Sequence, residues 1–406
     1  MEYITVREVA QRWKISARLT QQYCLDGRIP GARKFGGSWA IPADARKPTD
    51  PRKTKKRPRE TRQTAPVPVA PAAPMPLMPM PLMNAAFTPG HCVEYVEGIK
   101  DPQLRDIALA EYYYFSARPE EAVQTSELYL SHPDPALRLS ACLIYAYANL
   151  SIGQIQRVWY ALAEVRNSLA AFDERTPPQL RAVAVFTVTA AAVLLHLPLP
   201  EEVPPLQEHI RLLPPGLRMF ALYVQAHHTY LQGDYGKSIG IVETAFAMQM
   251  EMCPIPSIYM HLVAVMDYMS LKRPEQAQAH LLAAWDLARP DDLIEGLGEH
   301  HGLLGGMLEA VLKKDWPEDF KRIIAVTYRF SAGWRKVHNP VTGDDVADNL
   351  TTTEFATAML AARGWTNQEI AGHLGISPNT VKQYISTTLQ KLNIKQRKDL
   401  SQYMLR

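Results

Sequence analysis

The chain has 406 residues, enough for two or three domains, and an apolar content of 47%, which supports a packed core. Its four cysteines lie far apart and form no Cys-x-x-Cys pair, which argues against a zinc ribbon or a disulfide framework and favours a reducing compartment. The start has no signal peptide, and the most apolar run, 182–195, is too short to cross a bilayer, so we expect a cytoplasmic protein that makes no membrane contact.

The charge is unevenly distributed along the chain, although the net charge is only +3. Residues 1–63 hold 16 Lys and Arg against 6 Asp and Glu, and residues 351–406 hold 7 against 3. Residues 64–350 hold 21 against 32. Two basic ends on an acidic middle are expected of two nucleic-acid-binding modules joined to a body that does not bind nucleic acid.

Residues 1–47 predict a helix, a turn, a second helix and a two-stranded wing. Thr5 and Glu8 form a capping box at the start of the first helix, and Ser16 caps a second helix that runs to about Asp26. A short strand at 32–35, a glycine turn and a strand at 39–42 predict a hairpin.

The motifs in this segment are Thr5-Val6-x-Glu8-Val9-Ala10, Ser16-x-Arg18, Gly27-Arg28-Ile29-Pro30-Gly31 and Gly36-x-Ser38-Trp39-x-Ile41-Pro42. Taken as a set, they resemble the excisionase-like, MerR-type winged helix-turn-helix. The resemblance implies that the helix at 16–22 enters a major groove and that the wing contacts phosphate or the minor groove. The candidate DNA-binding residues are Ser16, Arg18, Gln21, Gln22, Arg33 and Lys34. The alternative is a domain that has lost DNA binding and docks onto another surface.

Residues 48–90 have the composition of a linker. The basic run 52–59 cannot fold alone because like charges repel, and it either adds attraction to phosphate or serves as a solvated tether. Prolines then alternate with Met, Leu, Val and Ala as far as Met83, which favours an extended polyproline II spacer over a ligand for a groove.

Residues 91–345 show helical patterns separated by short turns. The turns fall near 118, 153, 233 and 273, which fits a repeating unit of 35–40 residues and predicts an α-solenoid of helical hairpins. The segment Tyr230-Leu231-Gln232-Gly233-Asp234-Tyr235 resembles a tetratricopeptide (TPR) turn, so we describe the predicted domain as TPR-like.

No catalytic, cofactor or metal motif is evident in this middle region. It has no G-x-x-x-x-G-K-[ST] loop, so the ATPase module of large regulators is not expected. The adjacent pairs His227-His228 and His300-His301 would point about 100° apart on a helix and do not make an i, i+4 metal pair. We therefore expect no enzyme activity, no cofactor and no metal.

Residues 350–406 predict a second helix-turn-helix. Thr351 with Glu354 and Thr366 with Glu369 are capping boxes, and Ser377 is a cap followed by Pro378 at the first helical position. One face of the helix after Ser377 is apolar: Val381, Ile385, Leu389 and Leu392. The other face carries uncharged hydrogen-bonding side chains, which can read base edges: Asn379, Thr380, Gln383, Ser386, Thr387 and Gln390, with Lys382 on the border.

This segment resembles the C-terminal DNA-binding domain of LuxR-type transcriptional regulators. Thr353 and Tyr384 stand where the family usually has Arg and often has His. The resemblance implies that Thr380, Val381 and Lys382 approach DNA and that a last helix at about 397–405 forms a dimer contact. The candidate DNA-binding residues are Asn379, Thr380, Val381, Lys382, Gln383, Ser386 and Thr387.

The sequence thus predicts a mainly α, sequence-specific transcription regulator with domains at 1–47, 91–345 and 350–406 and a linker at 48–90. The expected partners are double-stranded DNA, a second copy of the chain in a homodimer, RNA polymerase, and a small-molecule or peptide ligand of the helical domain, which would act as sensor or dimerisation domain. Two other classes stay open. One is a DNA-architectural or recombination-directionality factor, and the other is a protein-interaction scaffold.

Overall fold

The computed structural model of the chain describes residues 3–36, 38–48, 78–249, 251–338 and 350–401. These residues belong to two compact units, one that contains residues 3–48 and one that contains residues 78–401. The basic run 52–59 and the first part of the proline-rich segment lie outside the described residues, as does the end of the expected last helix.

The N-terminal unit consists of two helices and a small antiparallel sheet. Its elements are β1 (Tyr3–Thr5), α1 (Val6–Trp13), α2 (Ala17–Leu25), β2 (Arg33–Phe35) and β3 (Ser38–Pro42). The strand order is β1-β3-β2, with Tyr3 opposite Pro42 and Lys34 opposite Trp39. The predicted hairpin is therefore present, and β1 adds a third strand that the sequence patterns did not predict.

The helices of this unit begin at the predicted caps. The Thr5 hydroxyl accepts the amide N–H of Glu8, and the Ser16 hydroxyl accepts that of Leu19 at 3.2 Å. The unit has its own small core, to which both helices, the loop after α2 and β3 contribute: Val9, Trp13, Tyr23, Cys24, Ile29 and Ile41.

The second unit begins with a helical body, in which no strand occurs among the described residues, 78–249 and 251–338. Its helices are α3 (Cys92–Glu97), α4 (Pro102–Phe115), α5 (Pro119–Glu127), α6 (Pro135–Ser151), α7 (Ile155–Ala170), α8 (Pro178–Leu194), α9 (Leu206–His209), α10 (Pro215–Leu231), α11 (Tyr235–Met248), α12 (Pro254–Ser270), α13 (Pro274–Ala288), α14 (Glu295–Glu299), α15 (Lys313–Asp315) and α16 (Pro317–His338). A π-helical turn, Leu308–Leu312, precedes α15. No helix in the described part of the chain is both long and apolar enough to cross a membrane.

Four pairs of consecutive helices pack against each other as hairpins: α4 with α5, α6 with α7, α10 with α11, and α12 with α13. Each turn contains a residue in the left-handed region, namely Ala117, Gly153, Gly233 and Lys272. These positions lie within one residue of the turns predicted from the sequence.

Residues 78–90, the end of the predicted linker, pack into the core of the body. Met80, Leu82 and Phe87 are among their buried side chains. The buried Glu111 carboxylate accepts the amide N–H groups of Leu82 and Met83 at 3.2 and 2.8 Å. A spacer would leave these apolar side chains in water, whereas here the helices of the body cover them. The spacer interpretation therefore does not extend to residues 78–90.

A second carboxylate fixes the start of the body. Asp291 accepts the backbone N–H groups of Gly90 and Cys92 at 2.6 and 2.8 Å. These two hydrogen bonds join the chain just after α13 directly to the start of α3.

The C-terminal part of this unit contains α17 (Thr352–Ala362), α18 (Asn367–Leu374) and α19 (Pro378–Lys391), followed by a 3₁₀ turn, Arg397–Asp399. Its buried residues, such as Met359, Trp365 and Val381, belong to the same continuous apolar core as those of the body. The C-terminal helices are therefore packed onto the body.

Candidate DNA-binding helices and their attachment to the body

The turn between α18 and α19 is built by three local interactions. The Thr366 hydroxyl accepts the Glu369 amide at 3.2 Å and so starts α18. Gly375 ends α18 with a φ of 65°, a conformation that favours glycine. The Ser377 hydroxyl accepts the Thr380 amide at 3.0 Å and starts α19. These contacts fix the direction of α19 relative to α18.

Helix α19 presents opposite faces to the core and to solvent. Val381 is 0% exposed, and Ile385 is also buried. Six of the seven predicted DNA-binding residues lie on the accessible side: Asn379, Lys382, Gln383 and Ser386, which are exposed, and Thr380 and Thr387, which are partly exposed. Positions 379, 382, 383 and 386 follow the helical spacing of one face.

Val381 is the exception among the predicted contacts. The family resemblance placed it near DNA, whereas its helical spacing placed it on the apolar face. Because its side chain is fully buried in the core, it positions α19 and is not available to a base edge.

The accessible face of α19 is chemically suited to base recognition. Among the predicted contact residues on this face, Lys382 is the single charged side chain, and amides and hydroxyls make up the rest. The Thr380 hydroxyl lies 2.8 Å from that of Ser377, so these two side chains hold each other in place at the start of the helix. Amide and hydroxyl groups that are free in water can pair with donors and acceptors on base edges in a major groove.

A clamp inside the C-terminal domain joins α17 to α19. Lys391 Nζ lies 2.7 Å from Glu354 Oε2, and Glu354 also closes the capping box of α17 by accepting the Thr351 amide at 2.8 Å. Burial alone would raise the pKa of Glu354, but the hydrogen bonds from Lys391 and Thr351 hold it below its ordinary value. The carboxylate therefore stays charged and keeps the two helices in register.

The predicted contacts of the N-terminal unit are all exposed: Ser16, Arg18, Gln21, Gln22, Arg33 and Lys34. Arg18, Gln21 and Gln22 share one side of α2, while Arg33 and Lys34 lie on β2. Gln22 donates to Asp26 at 2.8 Å, and Ser16 is occupied as a cap. Arg18 and Gln21 are thus the side chains of α2 best placed for a partner.

The attachment of the C-terminal domain centres on Arg363, at the end of α17. Its guanidinium donates to the Tyr230 hydroxyl at 2.9 Å and to the Leu303 carbonyl at 2.5 Å. Lys272 donates to the carbonyl of Gly364 at 2.9 Å and lies 3.5 Å from Glu369. No sequence pattern predicted these contacts, because Arg363 and Tyr230 are 133 residues apart.

Three glycines allow this close approach, and we call residues 301–306 the docking loop. A methyl group at Gly302 would lie 2.8 Å from the Phe355 ring, and one at Gly306 would lie 3.0 Å from Leu374. Gly305 lies against the Arg363 guanidinium. Gly305 and Gly306 also have φ values of 61° and 76°, which other residues rarely adopt.

Behind Arg363 lies a buried carboxylate, Asp267, which is 0% exposed. Neither of its oxygens has a hydrogen-bond partner, and Nε and Nη1 of Arg363 are likewise unpaired. Burial raises the pKa of Asp267 to about 8, while the nearby Ser238 and Arg363 act in the opposite direction. The charge of Arg363 thus acts on Asp267, although no hydrogen bond joins the two side chains.

Among the residues that the structure describes, no group of three or more His, Cys, Asp or Glu side chains is arranged to hold a metal ion.

In a comparison with known families, residues 348–404 match the model for "Bacterial regulatory proteins, luxR family". No curated protein and no solved structure matches the chain. The C-terminal segment is therefore a LuxR-type helix-turn-helix domain, and it indicates a DNA-binding transcription regulator.

Proposed function

We propose that this protein is a sequence-specific regulator of transcription that contacts base edges of double-stranded DNA through α19. One observation carries the proposal: within the domain that matches the luxR family, α19 exposes a row of amide and hydroxyl side chains with a single lysine. A helix that only covers a core would more often expose Glu and Lys, whereas these side chains suit base recognition.

The N-terminal unit is proposed as a second DNA-binding module of the MerR type. Its two helices, its hairpin and the exposed Arg18, Arg33 and Lys34 support this role. Both ends of the chain are basic, as expected where two modules contact phosphate. If the isolated effect of this unit on DNA binding is nil, the alternative function, docking onto a protein, applies instead.

The helical body is proposed as a TPR-like sensor that also supports a homodimer. Its four helix hairpins support the repeat assignment, and Arg363 and the docking loop supply a route from the body to α17. A ligand that favours one arrangement of this junction would change the availability of the DNA-binding domain. The proposal includes contact with RNA polymerase by the DNA-bound dimer, and it includes no catalytic activity, cofactor or metal.

The test begins with selection of the preferred DNA from random double-stranded oligonucleotides by the full chain. Affinity for that DNA is then measured for the double variant Lys382→Ala, Gln383→Ala. Each base contact is worth roughly 1–3 kcal/mol, so we expect a loss of at least about 30-fold on the selected DNA and a smaller loss on scrambled DNA.

The matched control is Lys237→Ala, Gln278→Ala, which removes the same two side-chain types from exposed positions on α11 and α13. It should bind like the unaltered chain. Equal affinity of the α19 double variant and this control for the selected DNA would contradict the assignment of α19.

A further inference from the structure

A carboxylate surrounded by tyrosines lies within the helical body, apart from both helix-turn-helix segments. Glu299, the last residue of α14, accepts a hydrogen bond from the Tyr259 hydroxyl at 3.0 Å and another from the Tyr114 hydroxyl. Tyr114 belongs to α4 and Tyr259 to α12, so two distant hairpins meet on one carboxyl group.

Two further tyrosines complete the surroundings. The Tyr147 ring on α6 lies 6.2 Å from that of Tyr114, and the Tyr223 ring on α10 lies 5.3 Å from that of Tyr259. Each of the four hairpins thus contributes a tyrosine from its first helix. Aromatic rings attract cations through their negative faces, most strongly where water is excluded.

Glu299 differs from Glu295, which lies one turn earlier on the same helix. Glu295 has a positive partner, Arg329, at 3.0 Å and accepts a hydrogen bond from Ser151 at 2.7 Å. Within the described residues, no Lys, Arg or His forms an ion pair with Glu299. Burial, together with the negative charge of Glu295, raises the pKa of Glu299 well above its ordinary value. Glu295 thus has a positively charged partner, whereas Glu299 has none among the residues that the structure describes.

An unpaired polar atom lies among the same rings. His227 is 3% exposed, its ring is 5.7 Å from that of Tyr223, and its Nε2 atom has no hydrogen-bond partner. The Tyr223 hydroxyl lies 2.8 Å from His300 Nε2 and 3.4 Å from His227 Nδ1. Among the described residues, Nε2 of His227 is therefore the ring nitrogen of this pair that no side chain satisfies.

The cluster is not fully enclosed. Tyr114, Tyr223 and Tyr259 are buried, whereas Glu299 and Tyr147 are partly exposed.

We propose that this site binds a small organic cation, a protonated amine or a quaternary ammonium group, between the Glu299 carboxylate and the surrounding tyrosine rings. The cation supplies the positive charge that Arg329 supplies to Glu295. This inference rests on the proposed sensor function and names the chemical class of its ligand.

The position of the site connects it with DNA binding. Glu299 lies two residues before His301, where the docking loop begins. Tyr223 and Tyr230, the partner of Arg363, lie on the same helix, α10. A cation that draws α14 toward the tyrosines would shift the loop that holds Phe355 and Arg363, provided that it binds the two arrangements with different affinities.

The test uses the full chain and two cationic probes, choline and 3-methylbutylamine, in calorimetric titrations. The control ligand, 3,3-dimethylbutan-1-ol, has the shape of choline without its charge. We expect saturable binding of at least one cation and none of the alcohol. Absence of saturation by either cation, or equal binding of the alcohol, overturns the proposal.

The key variant is Glu299→Gln, with Glu275→Gln at an exposed position of α13 as the matched control. Glutamine keeps the shape of the carboxyl group, so the variant should fold. We expect its affinity for the cation to fall at least about tenfold, while the control is unchanged. Unchanged affinity in Glu299→Gln overturns the assignment.

A second pair of variants, Tyr147→Phe and Tyr147→Leu, gives an answer if Glu299→Gln does not fold. Phenylalanine keeps the ring and should keep binding, whereas leucine should weaken it. Equal affinities of the two variants for the cation contradict the proposal.

Affinity for the selected DNA is measured in parallel without the cation. If DNA binding persists and no cation binds, this inference alone fails. If the cation binds and the chain does not bind DNA, the proposed function fails and the cation site stands.

Discussion

The helices of residues 3–48 and those of residues 350–401 start from the same local sequence features but have different surroundings. Both begin with a Thr-x-x-Glu capping box, and in both a serine caps the second helix of the helix-turn-helix. The N-terminal unit packs around a small core of its own, whereas the C-terminal helices share their core with the body.

This difference separates what local sequence determines from what contacts between distant residues determine. Caps and helical spacing determine where helices begin and which side faces inward, and they do so at both ends of the chain. Attachment depends on contacts far apart in sequence, such as those of Arg363 with Tyr230 and of Gly302 with Phe355.

The largest effect is expected from Arg363→Met, which removes the central contact of the attachment. It leaves the Tyr230 hydroxyl and the Leu303 carbonyl without their donor and should destabilise the junction by about 2–4 kcal/mol. Hydrogen exchange should then rise in α17 and in the docking loop. Arg105→Met, at an exposed position of α4, is the control. If hydrogen exchange in α17 stays the same, Arg363 does not hold the C-terminal helices on the body. These helices would then be as independent of the body as the N-terminal unit, although they share its core.

An intermediate effect is expected from removing the same cap at each end, by Thr5→Ala and by Thr351→Ala. Loss of an N-cap costs about 1 kcal/mol. In the small N-terminal unit this should increase hydrogen exchange throughout residues 3–48, because its core is small. In α17 the increase should be confined to the first turn, because the body holds the rest of the helix.

The control variants Thr5→Ser and Thr351→Ser keep the hydroxyl and should behave like the unaltered chain. A uniform increase across residues 350–401 in Thr351→Ala would show that the attachment adds little.

The smallest effect is expected from Lys272→Ala. Lys272 and Glu369 are 41% and 44% exposed, so water and salt screen their attraction. The melting temperature should fall by less than about 1 °C at low salt and should not change at high salt. Lys237→Ala, on the exposed side of α11, serves for comparison. A larger fall in melting temperature that persists at high salt would show that Lys272, rather than Arg363, contributes most to the attachment.

The sequence predicted the local features well. The caps at Thr5, Ser16, Thr366 and Ser377 and the hairpin turns near 118, 153, 233 and 273 lie where expected, because each depends on a few neighbouring residues. The accessible and buried sides of α19 follow from helical spacing alone, and that spacing assigned Val381 correctly where the family resemblance did not.

Features that depend on distant partners escaped prediction. Strand β1 has only three residues and exists because β3 pairs with it. The Met- and Leu-rich stretch around Met80 has the composition of a spacer, and only the helices that cover it make it part of the core. The meeting of Glu299 with Tyr114 spans 185 residues, and no local pattern encodes it.

The contacts of Asp291 bear on the order in which the protein folds during synthesis. Its carboxylate accepts the amides of Gly90 and Cys92, from which it is separated by 201 and 199 residues. A ribosome adding about 5–20 residues per second needs about 10–40 s to produce that length of chain. Until then the start of the body lacks the Asp291 carboxylate that fixes it. Its apolar side chains also lack the later helices that bury part of their surface. The N-terminal sheet needs only the chain as far as Pro42, so it can form long before the body closes.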